Sequence, residues 1–222
     1  WKNFDDWELA SRTRKQENKE TIKTNMKLII TRHGETEENV AGILMGHLPG
    51  VLSTNGINQA KKLALRLKDE KINFIYSSDL TRASDTAKEI AKYHKNTPIE
   101  FTKELREKNL GEFEGKKKSD LGWDNNNFMA TSVEPQNGES LENLYLRAKN
   151  FLSNTFKKHD KNTILLVAHN GINKAIVSVI TKVGIENIKT AENFKNTSLS
   201  VFDIDKNKNY KMILFNDTKH LE

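Results

Sequence analysis

The chain contains no cysteine. Disulfides, thiolate metal sites and a cysteine nucleophile are therefore excluded, which fits a reducing compartment; the expected location is cytoplasmic. No stretch approaches the ~18 consecutive apolar residues that a membrane-spanning helix needs, so no membrane partner is expected. No histidine and carboxylate spacing suggests a metal site. A one-sided basic surface is also missing. The net charge is +6 over 222 residues, but lysines alternate with acids almost everywhere, and the only compact basic run is Lys116-Lys117-Lys118. That pattern reads as a solvated surface rather than a nucleic-acid footprint, and it is compatible with a small anionic substrate. The first residues, Trp1 to Asn25, lack the apolar core of a secretory signal and are polar with mixed charge. Residues 1–25 are expected to form a weakly ordered extension ahead of an original start at Met26. The alternative is a helical arm that packs Trp1, Phe4, Trp7 and Leu9 on the body.

What is present is an alternation of short apolar runs and amphipathic stretches, in a length that suits one domain, residues 26–222. Strands are expected at Lys27–Thr31, Phe74–Ser78, near Ile99–Phe101 and at Thr163–Ala168. Helices are expected at Thr54–Asp69, capped by Ser53, at Leu80–Tyr93, at Leu141–Lys158 and at Gly171–Thr181. In the first of these, Ile57, Ala60, Leu63, Ala64 and Leu67 recur at helical spacing. A short helical turn should follow at Glu37–Val40, and Lys116–Pro135 reads as irregular. The tail, Ser198–Ile204 and Tyr210–Phe215, alternates like two paired strands about a Lys206–Asn209 turn. Strands alternating with helices imply an α/β fold: a mainly parallel sheet covered on both faces and closed by an antiparallel edge.

The chemistry-bearing residues sit where these strands end. The first strand runs into Arg32-His33-Gly34-Glu35-Thr36, and in open α/β sheets the carboxyl ends of strands are where ligands bind. Imidazole is a good nucleophile towards phosphorus at neutral pH, and a guanidinium fork matches phosphate oxygens. The second strand runs into Asp79-Leu80-Thr81-Arg82, a second guanidinium at a strand-to-helix turn. Leu105-Arg106-Glu107 precedes a glycine-bounded loop that also carries Glu112 and Glu114. The fourth strand ends in His169-Asn170-Gly171. Taken singly, each has an ordinary explanation: a core histidine bonded at a strand end, or an arginine on a helix surface. Four of them in order, each at an expected strand end, are specific.

Together these motifs resemble the histidine phosphatase superfamily, the phosphoglycerate mutase-like family, over roughly Lys27 to the C-terminus. The resemblance implies a three-layer α/β/α sandwich and a phosphoric monoester hydrolase, expected here as a histidine acid-type phosphatase, that needs no cofactor. It makes His33 the nucleophile that forms a phosphohistidine, with its other ring nitrogen donating to a backbone carbonyl. Arg32 and Arg82 would clamp the phosphoryl group. His169 would be a proton-bearing partner to the same oxygens, and Glu107 the general acid, kept protonated beside a dianionic phosphate. Asn39, Thr36, Gly34 and Lys118 are the expected substrate-binding residues. Glu112 and Glu114 are expected to be structural or solvated, and His47 to lie near the pocket without a role.

Within that family, cofactor-dependent mutases carry a long insertion between the acid and the second histidine. Here the helix expected at Leu141–Lys158 occupies part of that interval and leaves little for a lid. Lys108 and Leu110 stand where the mutases have an arginine and a tyrosine, and no arginine occurs between Arg106 and Arg147. Lys118 points the other way, because it stands where mutases place a substrate-binding lysine. The expected function is hydrolysis of a small phosphorylated metabolite. A phosphoglycerate mutase and a non-catalytic phosphate-ligand or phosphoprotein-binding module are the alternatives. Specificity should lie in Lys116–Pro135 and the Met45–Leu52 loop, and a homodimer is left open.

Overall fold

The structure, a computed structural model, describes residues 25–123 and 134–222. The expectations for residues 1–24 and for the centre of the Lys116–Pro135 segment lie outside the described residues.

In chain order the elements are β1 (Met26–Arg32), α1 (Glu37–Val40), α2 (Thr54–Leu67), β2 (Phe74–Ser78), α3 (Thr81–Ala91), β3 (Ile99–Thr102), α4 (Leu141–Lys158), β4 (Thr163–Ala168), α5 (Asn170–Thr181), α6 (Glu186–Thr190), β5 (Leu199–Ile204) and β6 (Tyr210–Asp217). The strands form one six-stranded sheet in the order β3-β2-β4-β1-β5-β6. β1, β2, β3 and β4 run parallel, and β5 and β6 add an antiparallel edge. The fold is thus the expected α/β sandwich.

Strand alternation builds its two cores. Leu28 and Ile30 of β1 with Ile164 and Leu166 of β4 pack against α4 and α5 through Leu144, Leu152, Ile172 and Ile176. Their neighbours Ile29, Leu165 and Val167 face the other way, onto Leu63 and Leu67 of α2 and Ala83, Ala87 and Ile90 of α3. β4 lies in mid-sheet with all six residues buried, as a parallel strand covered on both faces must be. No helix among the described residues is long and apolar enough to cross a membrane.

Three local expectations are corrected. Ile57 is 43% exposed, and Gly56 takes the buried position in the first turn of α2 because that turn packs on the backbone of Glu35. α2 ends at Leu67 rather than Asp69, and α3 is shorter at both ends than Leu80–Tyr93. The five-residue α6, anchored by the buried Ile188, had no counterpart in the sequence reading. The capping expectation holds: the Ser53 hydroxyl accepts from the Gly56 N–H.

Candidate active site

β1, β2 and β4 all point their carboxyl ends to one side of the sheet, and β1 lies beside β4 in register, with Arg32 opposite Ala168. The residues that follow the two strands, His33 and His169, therefore meet: their ring centroids are 5.1 Å apart, at an interplanar angle of 58°. Arg82 arrives from the β2–α3 turn, one residue into α3. A cavity of about 130 Å³ opens over these strand ends. Arg32, His33, Asn39, Arg82, Glu107 and Lys118 line it, with Lys108, Asn170 and Gly171 beside them.

His33 is buried, and its Nδ1 lies 2.7 Å from the Gly34 carbonyl oxygen. A carbonyl only accepts, so Nδ1 carries the hydrogen and Nε2 keeps the lone pair. Burial and then the charges of Arg82 and Arg32 hold the ring well below its ordinary pKa, so the imidazole is neutral. The His33 carbonyl is itself held by Asn196 Nδ2 at 2.9 Å. His169 is the N-cap of α5 and is wholly buried. Neither of its ring nitrogens has a protein partner, and burial, Arg82, His33 and Arg32 hold it neutral as well.

The guanidiniums are anchored at one end only. Arg32 Nη1 donates to the Phe194 carbonyl at 2.7 Å. Arg82 Nη1 and Nη2 donate to the carbonyls of Leu48 and Gly46. The Nε of each is buried without a partner. Burial lowers both, Arg82 to about 10. A buried donor with nothing to bond costs about 1–3 kcal/mol, and here two such guanidiniums line the cavity while the partnerless imidazole of His169 packs against His33, which also lines it. A tetrahedral oxyanion supplies what all of them need.

Glu107 faces this cluster from the loop after β3. Its Oε1 accepts the backbone N–H of Lys108 and Gly171 at 2.9 Å each and of Ile172 at 3.3 Å. Oε2 shares only the Gly171 N–H, at 3.1 Å, and is the freer oxygen. The carboxylate thus sits on the first turn of α5, where N–H groups point outward unpaired.

The other expected residues divide. Lys118 lines the cavity because residues 115–118 zip onto the loop after α1: Lys118 N–H donates to Gly42 and Leu44 N–H to Lys116. Burial and Arg32 lower its pKa. Asn39 lines the cavity too, but its Oδ1 closes a capping box with Thr36. Thr36 and Gly34, expected to bind substrate, are not among the residues that line the cavity, and neither is His169. The Thr36 hydroxyl caps α1, while Gly34 bonds Thr86 through its N–H and fixes the His33 tautomer through its carbonyl. Glu114 is structural as expected, accepting from His47 and Leu110 N–H. The covering loop is Gly42–Gly46 rather than Met45–Leu52, of which only Met45 and Gly46 reach the cavity.

Sequence reasoning missed several neighbours. Lys174 of α5 is 1% exposed and pushed down to about 8 by burial, opposed by Glu107. Its signal was a lone lysine inside an apolar helical run. Asn196 and Arg147 gave no signal, because their partners are main-chain carbonyls brought close only by folding.

Comparison with known proteins decides the family. The profile of the histidine phosphatase superfamily (branch 1) matches residues 28–218. The chain belongs to that superfamily. It is 32% identical over 203 residues to phosphoglycerate mutase-like protein 4 of Arabidopsis thaliana, covering 88% of this chain and 86% of that one. It is 33% identical over 202 residues to phosphoserine phosphatase 1 of Hydrogenobacter thermophilus, covering 88% and 94%. The structure of phosphoserine phosphatase from Entamoeba histolytica in complex with 3-phosphoglyceric acid superposes with a TM-score of 0.76 at 28% identity, covering 89% of this chain and all of that one. The superfamily and its relatives support a phosphoric monoester hydrolase. The acid-type label is a different family name and is not carried further.

Proposed function

We propose that this chain hydrolyses small phosphomonoesters through a phosphohistidine at His33, without a metal ion. One observation carries the reading. A neutral imidazole, its tautomer set by the Gly34 carbonyl, lies among two half-anchored guanidiniums and a second buried imidazole, all at the carboxyl ends of adjacent strands.

In the first step His33 Nε2 attacks phosphorus and forms the P–N bond as the P–O ester bond breaks. Glu107 gives its proton to the departing alkoxide oxygen. Arg32, Arg82 and His169 hold the equatorial oxygens, which carry the charge of the transition state. In the second step the Glu107 carboxylate takes a proton from water while that water's oxygen attacks phosphorus. The P–N bond breaks, inorganic phosphate leaves, and both residues return to their starting forms. The dianion also alters the site's electrostatics: two negative charges beside His169 favour the proton-bearing ring that the empty site disfavours. Two guanidiniums and the proton-bearing His169 supply the charge stabilisation that a metal supplies elsewhere.

The named substrates of the relatives are small and anionic, which supports a phosphometabolite rather than a macromolecule as substrate. The cytoplasm stays part of the proposal as the compartment where such substrates and a cysteine-free chain meet. A second reading is kept for one observation: Lys118, at the position resembling the mutases' lysine, does line the cavity.

The test is turnover of p-nitrophenyl phosphate with chelator present. Activity that survives chelation and is lost in His33→Ala supports the proposal. Bisphosphoglycerate-stimulated interconversion of phosphoglycerates would overturn hydrolysis in favour of the mutase. No turnover of any phosphomonoester in a broad panel would leave only a binding module.

A further inference from the structure

The segment that carries Glu107 is gripped from outside the site by a single side chain. Arg147, one and a half turns into α4, donates through Nη1 to the carbonyls of Glu104 at 2.7 Å and Arg106 at 2.8 Å, and through Nη2 to that of Glu107 at 3.3 Å. Its own position is fixed by a two-pronged bond to Glu139, Nε to Oε1 at 2.8 Å and Nη2 to Oε2 at 2.7 Å. The Glu107 carbonyl has a second partner, His47 Nε2 at 2.8 Å, which directly follows the covering loop. Arg106, between the gripped carbonyls, forks onto Asp79 at 2.7 and 2.6 Å, at the turn that carries Arg82.

We propose that Arg147 is the positioning residue of the general acid: its planar fork sets the main chain at residues 104–107, and so sets where the Glu107 carboxyl meets the leaving oxygen. The inference rests on Glu107 being that acid. Arg147 does not line the cavity and touches no reacting atom. A guanidinium is suited to the task because five donors in one rigid plane serve three carbonyls and a carboxylate at once, which an ammonium on a flexible stem does not. The three carbonyls belong to a connecting segment with no sheet ladder of its own, so side-chain bonds, Arg147's foremost with those of Asp79 and His47, hold its course.

The discriminating variant is Arg147→Lys, which keeps the positive charge near His169 and loses the fork. Displacing a catalytic group by about 1 Å costs on the order of 100-fold, and in kcat/KM, which reports the first step alone, the cost falls only where protonation of the leaving group matters. The experiment compares kcat/KM on phosphoserine, an alkyl phosphate, with kcat/KM on p-nitrophenyl phosphate, for wild type, Arg147→Lys and Glu107→Gln. The expected result is a drop in kcat/KM of roughly 10- to 100-fold on the alkyl ester and no more than about threefold on the aryl ester. If Arg147→Lys does not fold, as judged by circular dichroism, His47→Ala loosens the same Glu107 carbonyl from the other side and should give the same split in weaker form.

An equal fall on both esters, or none on either, in a folded variant while Glu107→Gln shows the split would overturn the inference and leave the functional proposal standing. If Glu107→Gln shows no split, the acid assignment fails first and this inference falls with it.

Discussion

His33 and His169 are each enclosed by protein and ringed by positive charge, and that fixes how the site responds to pH. A nucleophilic imidazole must be neutral, and burial with Arg82 and Arg32 beside it holds His33 well below its ordinary pKa. As pH falls, protonation removes the nucleophile, so the acid limb of kcat/KM should lie below pH 6.5 once the second ionisation of the substrate phosphate is accounted for. A limb at or above that value that vanishes with His33 would contradict the assigned environment. Glu107→Gln should lower kcat/KM, which reports the first step, by roughly 100-fold or more on alkyl phosphates and far less on activated aryl phosphates, because a good leaving group needs little protonation. Equal losses would redirect the search to Glu112 or Glu114. At this scale the sequence told most about residues that follow a strand directly, because strand ends converge by the logic of a parallel sheet. Thr36 and Asn39 were harder to read: a short polar side chain early in a helix serves a cap or a ligand equally well, and only the capping box separates them.

The element that matters most for His33, the proposed nucleophile, is the contact between the β1 exit and the start of α2. A Cβ on Gly56 would sit 1.9 Å from the Glu35 carbonyl oxygen, and one on Gly34 2.5 Å from that of Gly56. Neither clash involves a flexible side chain that could move aside. Gly56→Ala should therefore cost about 2–4 kcal/mol of stability, as overpacking against backbone does, and should lower kcat by displacing residues 33–35. Chemical denaturation together with kinetics checks both; a change within about 0.5 kcal/mol would show that the two segments are not in register as described. Ser53→Ala removes the α2 cap and the hydroxyl's bond to the Glu35 carboxylate at 2.9 Å; it should cost about 1–2 kcal/mol and lower kcat less than Gly56→Ala does. β1, β2, β4, α4 and the tail strands were legible because apolar period and turn residues agreed there. The exposure of Ile57 was not, since helical spacing names a stripe without saying which edge of it meets a neighbour. α6 escaped because five residues hold too little periodicity to register.

Across the whole molecule the free enzyme is built to be completed by an anion. Several histidines have lowered pKa values: the buried His33 and His169 most of all, and the half-buried His220 at about 4, chiefly through desolvation. The unfolded chain takes up protons at these rings below about pH 6.5 while the folded chain does not, so unfolding is favoured as pH falls below that value. Melting temperature should therefore drop between pH 7.5 and 5.5, and His169→Ala should flatten the drop if the fold is retained. Inorganic phosphate, which binds only the folded chain, should raise it. No change in melting temperature with millimolar phosphate would argue against an anion site at the strand ends. The central claim is chemical, and its most direct measurement is a rapid quench of the enzyme during turnover, followed by mass spectrometry of its peptides under alkaline conditions that spare P–N bonds. The account predicts one phosphorylated peptide, carrying the group on His33, present in wild type, accumulating in Glu107→Gln with an aryl phosphate and absent in His33→Ala. A phosphoryl group on any other residue, or turnover that persists in His33→Ala, would contradict it.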